Sequence, residues 1–184
     1  MKRNERMLME DKTVEIFLEI LKEQDAEALF QFECSNRTFF EQSVPSRGEA
    51  YYQYENFLQS LGQLLDEHKA GISYFHLLKN EAGTIVGRMN LVDIDREKGE
   101  AQIGYRVGEA CIGKGVATRG LDLLIKKAVR DYGVSRLYAK TTTTNIGSQK
   151  VLEKNGFLLQ SIESKGIRIN GEEQDFHHYL WSPS

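Results

Sequence analysis

The stretch that decides the fold is QIGYRVGEACIGKGVATRG, residues 102–120. A strand pattern ends near Val107, three glycines follow, and a helical pattern begins between Gly115 and Ala117. The first N–H groups of a helix have no partner within the helix, and glycine leaves them open to a ligand. The stretch therefore predicts an amide cradle for phosphate oxygens. Taken alone, it is equally typical of a glycine-rich turn that binds nothing.

The segments on either side alternate between helical and strand periodicity. Apolar residues spaced three and four apart predict helices at residues 24–35, 48–69, 115–132 and 147–154. Alternating or β-branched patterns predict strands at residues 13–21, 72–79, 84–94, 100–107, 136–142, 157–165 and 174–181. Residues 36–46 are predicted to be a loop, and Asn170-Gly171 is predicted to turn between the last two strands.

This order of elements predicts the fold class. It is α/β or α+β, with a mixed, mostly antiparallel sheet of six or seven strands flanked by helices. The length of 184 residues suits a single domain over residues 1–184, and residues 1–12, which are mostly charged, are expected to form a disordered N-terminus.

Composition limits the function classes. The 24 Lys and Arg against 27 Asp and Glu give a net charge of −3, which argues against a protein that binds nucleic acid by neutralising phosphates. No segment has the apolar length of a signal peptide or a membrane span, so we expect a cytoplasmic protein. Cys34 and Cys111 show no metal-ligand spacing and are expected to be reduced thiols. No metal site is predicted.

A nucleotide hydrolase is the first alternative for the glycine-rich stretch. Residues 108–114 fit the phosphate-loop pattern G-x-x-x-x-G-K, but Gly115 follows where that loop needs the Ser or Thr that holds Mg²⁺. The repeated parallel strand–helix–strand units of such folds are also missing from the pattern. We therefore disfavour this interpretation.

A second segment, with Asn145, Ser148 and the pair Gly156-Phe157, makes the pattern more specific. Together with the glycine-rich stretch it resembles the GCN5-related N-acetyltransferase superfamily, and most closely its branch of ribosomal-protein N-terminal acetyltransferases. The resemblance covers nearly the whole chain, including a substrate segment around Phe39 and Phe40. It implies an acyl-CoA N-acyltransferase fold, acetyl-CoA as cosubstrate, a primary amine as acceptor and possible dimerisation.

The resemblance also implies site residues. Coenzyme A is expected to contact Tyr105, Arg106, Val107, Ile112, Gly113, Lys114, Gly115, Val116, Ala117, Thr118, Asn145 and Ser148. Two positions depart from the family pattern. Ile112 stands where many members have Gln or Arg, although that contact is expected to run through the main-chain N–H. Leu152 stands where many members have a Tyr that protonates the departing thiolate, and Ser148 is the implied substitute.

The attacking amine must be neutral, so the chemistry also needs a route for its proton. Glu100, which starts the strand before the loop, is the first candidate base, and Glu33 and His177 are weaker ones. Three hypotheses remain open. The protein acetylates a protein or peptide N-terminal α-amine, or it acetylates a small amine such as a polyamine or an antibiotic. Alternatively, because Leu152 replaces the usual acid, it binds coenzyme A as a sensor without turnover.

Overall fold

The computed structural model describes residues 15–183. The predicted disordered N-terminus and the first two residues of the first predicted strand lie outside this range. The strands are β1 (Ile16–Ile20), β2 (Tyr74–Asn80), β3 (Ile85–Asp95), β4 (Glu100–Val107), β5 (Arg136–Thr142), β6 (Leu158–Ile169) and β7 (Glu172–Trp181). The helices are α1 (Ala26–Ser35), α2 (Arg37–Phe40), α3 (Tyr54–Ala70), α4 (Val116–Tyr132) and α5 (Ile146–Lys154).

The strands form one seven-stranded sheet in the order β1-β2-β3-β4-β5-β7-β6. Every neighbouring pair is antiparallel except β4 and β5, which are parallel. The predicted fold class, a mixed and mostly antiparallel sheet flanked by helices, is therefore confirmed. None of the described helices is long and apolar enough to cross a membrane.

The parallel pair is the break in the sheet that matters for the site. Residues 100–102 of β4 pair with residues 136–138 of β5, and the pairing then stops although both strands continue. β5 remains paired with β7 as far as Thr142, so it is the edge between β4 and β5 that opens. A gap therefore widens toward the end of β4 at Val107.

Two apolar clusters cover the two faces of the sheet. The neighbours Leu77 and Leu78 belong to different clusters, as expected for a strand whose successive side chains point to opposite faces. On one face α4 buries Leu121 and Leu124 completely. On the other face α1 and α3 contribute Leu29, Phe32, Phe57 and Leu61.

Two predicted segments need correction. The predicted loop at residues 36–46 contains α2. The Asn36 side-chain amide donates to the Phe32 carbonyl, at 2.9 Å, at the end of α1. Phe40 of α2 is buried in the same apolar cluster as the residues of α1 and α3. The single predicted helix at residues 48–69 is divided at Gln53, whose backbone is extended, into a 3₁₀ turn (Glu49–Tyr52) and α3. The aromatic spacing continues across the break because Tyr51 still packs on Phe57, with ring centroids 5.7 Å apart.

Candidate active site

A cavity of about 410 Å³ lies beside the end of β4, beyond the point where the pairing of β4 with β5 stops. Its lining comes from the end of β4, the loop that follows it, the start of α4, α5 and the α2 segment (residues 39–44). Its lining residues are Phe39, Phe40, Ser43, Val44, Tyr105, Arg106, Val107, Cys111, Ile112, Gly113, Gly115, Val116, Ala117, Thr118, Asn145, Gly147, Ser148, Lys150, Val151 and Lys154.

The start of α4 presents unpaired amides to this cavity. Gly115 is the N-cap, with φ 72°, and provides no side-chain cap. The first helical hydrogen bond is donated by Arg119 to the Gly115 carbonyl, at 3.0 Å, so within the described residues the amides of residues 116–118 have no acceptor. A Cβ placed on Gly113 or Gly115 would meet no atom within 4 Å. The residues present therefore fit an anion that approaches the main chain closely.

The lysines that line the cavity differ from the lysine expected from the sequence. Lys114 does not line the cavity, whereas Lys150 and Lys154 of α5 do. Their spacing of four residues, on a helix predicted to follow Asn145, was the signal available in the sequence. The amide of Ile112 donates to the Glu109 carbonyl, at 3.1 Å, so it is not a free donor as expected. This hydrogen bond closes the 3₁₀ turn before the loop.

Ser148 is held at the start of α5 by two neighbours. The Asn145 side chain caps the helix by accepting a hydrogen bond from the Ser148 amide, at 3.0 Å. The Tyr105 hydroxyl lies 2.9 Å from Ser148 Oγ and 3.1 Å from the Ser148 carbonyl oxygen. Burial raises the pKa of Tyr105 to about 12, against the opposing effect of the hydrogen bond to Ser148. The phenol is therefore protonated at neutral pH.

Arg106 connects the cavity to a buried ionic cluster. The Arg106 guanidinium lies over the Phe40 ring, 4.9 Å from its centroid, and 3.2 Å from one oxygen of Glu33. The other Glu33 oxygen accepts a hydrogen bond from Arg88, at 2.6 Å. Glu33 is fully buried, which by itself raises its pKa, but the charges of Arg88, Arg106 and Arg47 outweigh burial and hold the pKa below its usual range. A carboxylate with both oxygens engaged in this way is a poor base, so Glu33 serves to fix Arg106.

Comparison with known proteins identifies the family. Residues 15–158 match the model of the acetyltransferase (GNAT) domain. This chain belongs to the GNAT acetyltransferase family. It is 30% identical over 162 residues to a probable N-acetyltransferase, YjcK, of Bacillus subtilis (strain 168), covering 87% of this chain and 90% of that one.

Two further relatives belong to one branch of the family. The [ribosomal protein uS5]-alanine N-acetyltransferase of Escherichia coli (strain K12) is 26% identical over 165 residues, covering 89% of this chain and 85% of that one. The solved structure of RimL, a ribosomal L7/L12 α-N-protein acetyltransferase in complex with coenzyme A, superposes with a TM-score of 0.85 at 22% identity, covering 91% of this chain and 93% of that one. The resemblance stated from the sequence is confirmed, and this GNAT protein is an acetyl-CoA-dependent N-acetyltransferase.

The structure of this GNAT enzyme does not place Glu100 at the cavity. Its carboxylate pairs with Arg136, at 2.9 Å, and accepts a hydrogen bond from the Tyr138 hydroxyl, at 3.1 Å. Glu100 starts the eight-residue strand β4, so it lies about 23 Å along the chain from Val107 and the loop. Its role as the base stays a prediction that this geometry does not support, since the carboxylate is engaged by Arg136 and Tyr138 and lies outside the cavity lining.

The remaining candidates do not supply a base at the cavity either. His177 lies on β7 opposite Thr141 of β5 and does not line the cavity. Leu152 is 1% exposed and belongs to the apolar cluster that α4 covers, so its side chain does not reach the cavity. Within residues 15–183 no Asp, Glu or His lines the cavity, and no cluster of three or more His, Cys, Asp or Glu side chains is placed to hold a metal.

Proposed function

We propose that this enzyme transfers the acetyl group of acetyl-CoA to the α-amine at the N-terminus of a protein or peptide. The observation that carries the proposal is the charge of the cavity wall. Its charged side chains are Arg106, Lys150 and Lys154, and none of its described lining residues is acidic or a histidine. A wall of this kind suits an acceptor amine that is already partly neutral.

The pKa of the acceptor decides how much help it needs. An α-amine with a pKa of about 8 is neutral in about one molecule in ten at pH 7, which costs roughly 1 kcal/mol. A lysine amine with a pKa of about 10.4 is neutral in about one in 2,500, which costs roughly 4 to 5 kcal/mol. A site without a general base can therefore use an α-amine, with solvent removing the proton, far better than it can use a lysine or a polyamine.

Coenzyme A is assigned to the end of the cavity at α4 and α5. The amides of residues 116–118 and the lysines Lys150 and Lys154 would bind its diphosphate. The edge of β4 from residue 103 to 107 has no partner in β5, so its main-chain groups are free to pair with the pantetheine arm as an added strand would. Ser148 then faces the thioester, where its hydroxyl can donate a hydrogen bond to the departing sulfur.

The acceptor is assigned to the part of the cavity between the α2 segment and the end of β4. Phe39, Phe40 and Val44 give this end an apolar wall, and Arg106 gives it a positive charge. Like charge disfavours a polycation here, which argues against the polyamine alternative. Support for a protein acceptor also comes from the Escherichia coli relative, whose name gives an alanine of a ribosomal protein as its substrate.

The test is an acceptor panel in which release of the coenzyme A thiol is measured. Two peptides of one sequence would be compared. One has a free N-terminus and arginine in place of lysine, and the other has a blocked N-terminus and one internal lysine. We expect the free N-terminus to be the better acceptor by about 250-fold at pH 7, following the neutral fractions of the two amines. A polyamine is the third acceptor.

The pH profile provides a second, independent measurement. With the free N-terminus as acceptor, kcat/KM is expected to rise about tenfold per pH unit up to the pKa of the α-amine and then level off. A preference for the blocked lysine peptide or for the polyamine would refute the proposed acceptor. Coenzyme A binding in calorimetry with no thiol release from any amine would support the sensor hypothesis instead.

A further inference from the structure

The hydrogen bonds between Tyr105 and Ser148 connect β4 to α5 across the cavity. Tyr105 stands in the half of β4 that has no partner in β5, and Ser148 stands in the first turn of α5. Their hydroxyl oxygens are 2.9 Å apart. Both residues line the cavity, so the pair lies where the acetyl-bearing end of the coenzyme is assigned.

A serine hydroxyl alone is poorly suited to assist a departing sulfur. Its side chain chooses among staggered rotamers, and its proton rotates freely about the C–O bond. The Tyr105 hydroxyl, which lies 2.9 Å from Ser148 Oγ and 3.1 Å from the Ser148 carbonyl oxygen, restricts both freedoms. It fixes the position of Oγ, and when it donates its proton to Oγ, the serine proton is left to point elsewhere. Hydrogen bonds in such a chain also polarise one another, which makes the outer hydroxyl a stronger donor.

We propose that Tyr105 is a positioning residue for acetyl transfer, whose phenol orients the Ser148 hydroxyl to donate a hydrogen bond to the sulfur of coenzyme A as it leaves. In the transfer the amine nitrogen bonds to the acetyl carbonyl carbon and the carbon–sulfur bond breaks. The sulfur leaves with the electron pair, and the amine proton passes to solvent. The inference rests on the proposed function, and it adds the residue that makes the Ser148 hydroxyl effective.

The acidities show that the phenol does not itself lose its proton to the departing sulfur. Burial raises the pKa of Tyr105 to about 12, whereas a thiol has a pKa of about 8.5, so the phenol keeps its proton while the thiolate forms. The pair therefore stabilises the thiolate by hydrogen bonding and does not protonate it outright. The same effect lowers the pKa of the thiol of bound coenzyme A, which is a property that can be measured without turnover.

The test compares Tyr105→Phe with the unmodified enzyme. Phenylalanine keeps the ring and removes only the hydroxyl. We expect kcat to fall about tenfold, the size of one lost hydrogen bond, with the KM for acetyl-CoA unchanged. Ser148→Ala is expected to lower kcat about a hundredfold, and the double variant should be no slower than Ser148→Ala alone. Non-additivity of this kind identifies two residues that act as one unit.

The second readout is the ultraviolet absorbance of the thiolate in a pH titration of bound coenzyme A. We expect the thiol pKa to be about one unit higher in Tyr105→Phe than in the unmodified enzyme. The matched control is Tyr179→Phe. The Tyr179 hydroxyl also bonds a residue of α5, Glu153, at 3.2 Å, but neither residue lines the cavity. This control should leave both kcat and the thiol pKa unchanged.

Different outcomes refute different statements. An unmodified enzyme that releases no thiol with any amine refutes the proposed function. An active enzyme whose Tyr105→Phe variant keeps its kcat and its thiol pKa refutes only the role of Tyr105. A higher KM with unchanged kcat also refutes it, since that result makes Tyr105 a binding residue. If Tyr105→Phe does not fold, a ring-fluorinated tyrosine at this position keeps the contacts and strengthens the donor, and it should lower the thiol pKa.

Discussion

Replacing Gly115 with aspartate tests whether the start of α4 holds the diphosphate of coenzyme A. Gly115 has φ 72° and open space where a Cβ would be, on the cavity side of the helix start. An aspartate there puts a carboxylate among the amides of residues 116–118. Those amides have no other described acceptor, so the carboxylate occupies the place assigned to the phosphates.

The magnitude can be worked from charge and strain. Two like charges about 4 Å apart repel by about 4 kcal/mol at an effective dielectric constant of 20, which corresponds to about a thousandfold in affinity. The left-handed backbone costs a non-glycine residue about 1 to 2 kcal/mol of folding stability. A negative charge at a helix N-terminus stabilises the folded state by about 0.3 to 1 kcal/mol. The variant should therefore fold, with stability lowered by about 1 kcal/mol, and lose nearly all affinity for coenzyme A.

The assay is calorimetric titration with coenzyme A, together with thermal unfolding. A second variant, Gly115→Ala, adds a Cβ without a charge. Its matched control is Gly133→Ala, because Gly133 caps the other end of α4 with φ 69° and equally open space. Both alanine variants should lose similar stability, but only the change at Gly115 should weaken binding. If Gly115→Asp binds coenzyme A within threefold of the unmodified enzyme, the diphosphate is not held at this helix start.

Two further predictions concern stability. Burial, with a smaller effect of Lys127, lowers the pKa of His76 to about 4, below the value of about 6.5 in the unfolded chain, so its contribution is complete above pH 6.5 and is lost as pH falls toward 4. In urea denaturation the free energy of unfolding should fall by about 2 kcal/mol more between pH 7 and pH 5 in the unmodified protein than in His76→Asn. An equal fall in both proteins would contradict this. Glu33→Gln leaves the buried Arg88 without its partner charge and should lower the free energy of unfolding by about 3 to 5 kcal/mol. The control is Glu163, an exposed carboxylate that pairs with His178. Glu163→Gln should lower the free energy of unfolding by less than 1 kcal/mol.

The spacing of apolar residues was enough to predict most of the fold, because in most helices and strands that spacing keeps one period, helical or alternating, from end to end. β4 and β5 have the predicted bounds, and α4 begins one residue after the predicted glycine. One failure is α2, which lies within the predicted loop, and the other occurred where a pattern continued across a change of backbone. The aromatic spacing through Tyr51 and Phe57 satisfies ring packing on both sides of Gln53, so nothing in the pattern marked the extended residue between them.

The site was predictable where it depends on main chain and not where it depends on side-chain direction. The open amides near Gly115 follow from a strand, a glycine-rich loop and a helix in succession. The absence of Glu100 from the cavity lining does not, because it depends on which end of β4 faces the cavity and on the pairing of Glu100 with Arg136. The hydrogen bond from Tyr105 to Ser148 joins residues 43 apart, and no local pattern encodes it.

On the proposed role of Ser148, its position accounts for leucine at position 152. The two residues are four apart, and such residues share one face of a helix, yet Ser148 lines the cavity while Leu152 is buried. Leu152 points into the apolar cluster that α4 covers, while Ser148, Val151 and Lys154 line the cavity, and Asn155 ties the end of α5 to α4 by a hydrogen bond to the Thr118 carbonyl, at 3.2 Å. Among the α5 residues that line the cavity, Ser148 in the first turn carries the hydroxyl that can face the thioester. A hydroxyl in that turn needs an orienting partner from the opposite wall, and the divergence of β4 from β5 leaves Tyr105 in place to be that partner.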